Sequence, residues 1–124
     1  MTTPEALNAL ADRVEREEPS FELDSTIYED ALPVEEKRRI VDLPAYTTSL
    51  DAAVTLVPEG WFWRVGYTPI FNGWAHVSRT HADHCVRKYE HLSSVARNPT
   101  LALTAAALRA RAALEWAAKL SSNP

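Results

Sequence analysis

His81, Asp83, His84 and Cys85 are of residue types that bind zinc, and His76 and His91 flank them. A closed structural zinc site needs four such ligands. His-x-x-His-Cys lacks the paired spacing of zinc modules, and the next His lies six residues beyond Cys85. No metal is therefore expected, and the segment reads as a polar connection around a half-buried thiol. The same residues offer a Cys and a His for nucleophilic catalysis, which needs a base placed by tertiary structure. His84 adjoins Cys85, and neighbours on a strand point to opposite faces. No glycine cluster suggests an oxyanion hole, and three Gly in the whole chain leave no phosphate-cradling loop. The reading is of a protein that is not an enzyme, with no catalytic residue and no cofactor.

A second group suits binding. Trp61, Trp63, Tyr67 and Trp74 could stack on the bases of a nucleotide while Arg64, Arg79 or His76 pairs with phosphate. The competing reading is that the sheet is covered by helices on both faces and these aromatics fill two cores. Arg64 fits that reading poorly, because a charge between Trp63 and Val65 must reach a partner or the sheet edge. Trp61, Trp63, Arg64, Tyr67, Trp74 and His76 are the candidate binding residues.

Charge supplies a third candidate. The net charge is −4, but residues 1–42 hold 12 Asp and Glu against 5 Lys and Arg, and residues 43–124 hold 5 against 8. Such a segment is either a solvated face with partners inside the chain or a surface that meets a basic partner. Glu15, Glu17 and Glu18 represent that acidic interaction surface. Basic residues are scattered, so direct nucleic-acid binding is not expected. No membrane partner is expected either, because no apolar stretch approaches a membrane span. The N-terminal "MTTPEALNAL" does not read as a signal peptide. The lone Cys85 suits a reducing cytoplasm.

These residues need elements to hold them. Thr3, Pro4 and Glu5 open an amphipathic helix to about Glu17, and Pro19 stops it. A short helix is expected from about Glu22 to Ala31. Residues 33–48, polar and bounded by Pro33 and Pro44, read as a long connection rather than a core element. Ser49 caps a short helix face made by Leu50, Ala53, Val54 and Val57, ended by Pro58 and Gly60. At Trp61 the period switches to two, which places Trp61, Trp63, Val65 and Tyr67 on one face and Phe62 and Arg64 on the other. Pro69, Asn72 and Gly73 form a turn into a strand from Trp74 to Arg79, and Cys85 to about Val95 makes a third. Asn98 and Pro99 begin an Ala-rich helix to about Leu120, whose small residues suit close packing against a sheet and a second body, another helix or another copy of the chain. The length suits one domain, 1–124, with an acidic helical extension (1–42) and a core (46–120). The expected class is α+β: a small antiparallel sheet of three or four strands, sandwiched by α-helices, with a long C-terminal helix.

The blocks "SLDAAVTLVPEGW" (Ser49 to Trp61) and "PTLALTAAALRARA" (Pro99 to Ala112), with the Trp-bearing second strand at Trp74 to Val77, resemble the phage ABA-sandwich domain family. The likeness covers nearly the whole chain and is most specific over residues 46–112. The "EEKRRIVDLP" and "THADHC" segments are less typical of the family. The resemblance implies a helix–sheet–helix sandwich of phage origin in the host bacterial cytoplasm, with no catalytic motif to carry over. By association it implies a non-enzymatic protein that binds and inhibits a host defence component such as a CRISPR effector, as an anti-CRISPR protein does. The alternatives are a sponge for a nucleotide immune signal and a phage accessory or structural protein. A homodimer is compatible with each.

Overall fold

The computed structural model describes residues 3–70, 72–82 and 87–121. Helices α1 (Pro4–Arg16), α2 (Phe21–Ala31), α3 (Val34–Lys37) and α4 (Leu50–Val54) precede strands β1 (Phe62–Thr68), β2 (Asn72–Ala82) and β3 (Arg87–Ala96), and α5 (Pro99–Ser121) closes the chain. The caps form as the sequence requires. The Thr3, Ser20, Ser49 and Asn98 side chains accept from the amides of Ala6, Leu23, Ala52 and Leu101. The turn between β1 and β2 holds Asn72 at a φ of 59°, a conformation Asn tolerates better than most residues.

The sheet is antiparallel in the order β1-β2-β3. Its register sets Arg64 opposite His76, Gly66 opposite Trp74 and Trp74 opposite Val95. Alternation then gives one face to Trp63, Val65 and Tyr67, Gly73, Ala75 and Val77, and Leu92, Ser94 and Ala96. The other face receives Phe62, Arg64, Gly66 and Thr68, Trp74, His76 and Ser78, and His91, Ser93 and Val95.

Helix α5 packs on the first face, where Ala75 and Val77 are fully buried. The approach is close: a Cβ at Gly73 would fall 2.0 Å from the backbone of Asn98, at the mouth of α5. Leu101 through Leu108 of α5 are buried without a break, because α1 and α4 pack against the helix from other sides. The class, the three antiparallel strands and the long C-terminal helix are as the sequence leads one to expect. The element wrapped on several sides is α5, however, and not the sheet. Among the described residues no helix covers the second sheet face, where Phe62 is 70 % exposed and Val95 47 %.

The connection 33–48 also departs from its expected role. It contains the one-turn helix α3, and Tyr46 and Thr47 lie in the core. Thr47 donates to the buried Asp24 carboxylate through both its amide and its hydroxyl, each at 2.8 Å. Thr104 of α5 donates to the Tyr46 carbonyl at 2.8 Å, which ties α2, the connection and α5 together. Burial pushes the Tyr46 phenol up to about 12.

Candidate functional site

The six candidate binding residues divide between the two faces. Trp61 is buried on the helix side under the Arg79 guanidinium, 4.7 Å from its ring centroid. Trp63 and Tyr67 share that side but lie toward the margin of the α5 cover, 39 % and 64 % exposed. Arg64, Trp74 and His76 meet on the open face. There they join His91, named above as flanking the His/Cys group, and Phe62, Ser93 and Val95, which the residue types alone did not mark as site residues. Asp83, His84 and Cys85 lie outside the described residues, and His81 is placed only as a strand residue. Among the described residues no group of three or more His, Cys, Asp or Glu could hold a metal ion.

Gly66 shapes this face. A Cβ there would fall 2.3 Å from the Trp74 ring, so the indole lies across the bare backbone of the neighbouring strand. A half-buried indole held this way is a platform on which another planar group can stack. The His76 ring meets Trp74 edge-on at 5.1 Å, and the His91 ring follows at 4.5 Å. His76 Nδ1 and His91 Nε2 form a hydrogen-bonded pair, so one ring must present a bare nitrogen. His76 is held below the ordinary imidazole range, first by partial burial and then by the repulsion of His91 and Arg64. A groove of about 340 Å³ runs between Trp74, His76, Ser93 and Val95.

Arg64 is exposed and has no carboxylate partner among the described residues. None of the described side chains of the open face is an acid, in a chain of net charge −4. Among the described residues, the Glu15 carboxylate reaches its rim, where it accepts from the Val95 amide and is already bound by Arg109. The arrangement therefore offers stacking surface, hydroxyls and an unneutralised guanidinium side by side.

The acidic residues behave differently. Glu15 and Asp12 of α1 hold Arg109 of α5 at 2.5 and 2.8 Å, and Arg109 also donates to Ser94. Glu17 pairs with Arg13 one turn back, and Glu18 lies 3.7 Å from Arg97. A second hollow, of about 550 Å³, lies between α5, α3 and the end of α2. It is larger than the open-face groove, but its cations are engaged. Arg111 grips Glu36 through two hydrogen bonds and donates to the Leu56 carbonyl, and Lys37 donates to the Glu29 carbonyl. On the open sheet face, by contrast, Arg64 has no carboxylate partner among the described residues.

Comparison with family models, with curated proteins and with solved structures returns no match. Among the described residues no helix is long and apolar enough to cross a membrane.

Proposed function

We propose that this chain is a non-enzymatic binding protein that sequesters a nucleotide-type ligand on the open face of its sheet. In the setting implied by the likeness to phage ABA-sandwich proteins, that ligand is an immune signal in the host bacterial cytoplasm. The observation that carries the reading is the juxtaposition of Trp74, laid across Gly66, with Arg64, which no described carboxylate neutralises. A base stacks on an aromatic ring, and a guanidinium matches a phosphate with two parallel hydrogen bonds. His76 and Ser93 stand on the same face to bind edge groups of such a ligand.

Calorimetry of the full chain against cyclic mononucleotides, cyclic dinucleotides and ADP-ribose tests this directly. Saturable heat with at least one of them is expected, and no heat with any of them overturns the reading.

A second reading, binding and inhibition of a host defence protein such as a CRISPR effector, has its own support. Phe62, Tyr67 and Ile70 are 70, 64 and 83 % exposed, and exposed apolar groups gathered near one strand and its turn suit a protein surface. Glu15, Glu17 and Glu18 serve it less well than sequence alone suggests, because each faces an arginine of the same chain. Capture of a defence protein that is lost on mutating Tyr67 and Ile70 to Ser, with no nucleotide heat, would favour this reading over the first.

A further inference from the structure

Among the described residues, strand β1 has a neighbour on one side only. No turn or loop backbone group among the described residues bonds to Phe62–Tyr67 from its other side. Exposed edges are commonly blunted by Pro, Lys, a bulge or an inward charge. "FWRVGYT" has no Pro, no Lys and no acid, its one charge is Arg64 on the open face, and its pairing with β2 runs without a break. Large side chains also stay exposed on both faces of this edge, Phe62 on one and Trp63 and Tyr67 on the other.

We propose that β1 is the seam of a homodimer, in which two copies pair antiparallel along this edge to form one continuous sheet. The occupant is a second copy because the strand complements itself. A two-fold axis perpendicular to the sheet keeps each face continuous, so residues opposite one another share a face and the axis falls on a residue. Val65 is the midpoint of Phe62–Thr68 and lets the strand pair over its full length. That register sets Trp63 opposite Tyr67 of the second copy, an aromatic cross-strand pair made twice. It also sets Arg64 opposite Gly66 of the second copy, the spot where that copy's Trp74 ring lies. Each guanidinium then stands beside the other copy's indole.

Other registers lose these features. Centring on Arg64 opposes like charges, and centring on Gly66 brings Pro69 against Trp63, where it donates no ladder hydrogen bond. Centring on Trp63 runs the pairing off the start of β1. The pairing does not depend on what the open face binds, but it would make Arg64 and Trp74 of different copies neighbours in one site.

Sedimentation of the full chain across the micromolar range is expected to show a dimer. Trp63→Glu, a change at an exposed position, should weaken association by about tenfold or more while leaving the circular dichroism spectrum unchanged. Register is read by cysteine cross-linking with Cys85→Ser as background. Directly opposed Cα atoms lie about 4.5–5.5 Å apart, within disulfide reach. Trp63→Cys combined with Tyr67→Cys should give a disulfide-linked dimer in at least about tenfold higher yield than either change alone. A monomer at every concentration overturns the proposal, as does cross-linking by the single variants as efficient as by the pair.

Discussion

Arg109 and Arg111 on α5 and Arg64 on β1 carry the same guanidinium in opposite circumstances. The two helix arginines are largely buried and fully engaged. Arg109 ties α5 to α1 and β3, and Arg111 ties it to α3 and the turn after α4. Arg64 stands on the uncovered face with aromatic rings and imidazoles for neighbours. The same contrast separates the two faces of the sheet. The helix face is built from Gly73, Ala75 and Val77, small enough for α5 to approach, and the open face carries Trp74, His76 and Ser78 at the alternate positions. One set of residues holds the fold together, and the other is available to something else.

The widest gap should appear in stability. Leu108→Ala removes a fully buried side chain of α5 and should cost about 2–5 kcal/mol in chemical denaturation. Phe62→Ala on the open face should stay within about 0.5 kcal/mol. Equal losses would erase the distinction between the faces. A smaller gap is expected between the arginines. Arg111→Ala strands Glu36 and the Leu56 carbonyl and should cost about 1–2 kcal/mol, against about 0.5 or less for Arg64→Ala.

Two pH effects sharpen the contrast further. The hydrogen-bonded Arg111 holds the Glu36 carboxyl below its ordinary value, so the folded state binds fewer protons there than the unfolded chain. The stability this pair adds is present above the ordinary carboxyl range and is lost as pH falls through the depressed folded value. Glu36→Gln should flatten that acid limb in denaturation midpoints measured from neutral pH downward. The smallest effect belongs to His76, also held low, by burial and its cationic neighbours. Its share of stability is complete where the imidazole is neutral in both states and declines as pH falls through the ordinary histidine range. His76→Gln should remove a shallow slope there while leaving the Glu36 limb untouched.

Local chemistry made much of this fold legible. Thr3-Pro4-Glu5 and Asn98-Pro99 start their helices by capping, and the alternation from Trp61 shows a strand directly. Tyr46 and Thr47 were not legible, because their burial comes from distant partners, Asp24 and Thr104, that leave no periodic trace nearby. The candidate site was half legible. Residue type drew Trp61, Trp63 and Tyr67 together with Arg64, Trp74 and His76, although alternation within β1 already sets Arg64 on the opposite face, and the register puts Trp74 and His76 beside it. A signal was present in β2, where small aliphatic side chains alternate with large or polar ones, and the small set marks the side that a tightly packed Ala-rich helix covers. The role of Gly66 as a bed for Trp74 depends on strand register, which the sequence does not state.

The central claim is that the open face binds and the helix face only supports. Parallel calorimetric titration of the wild type and Arg64→Glu with the same nucleotide panel tests it most directly. Saturable binding by the wild type that weakens about tenfold or more in Arg64→Glu, at unchanged thermal stability, is the expected result. Binding that survives Arg64→Glu intact would contradict it.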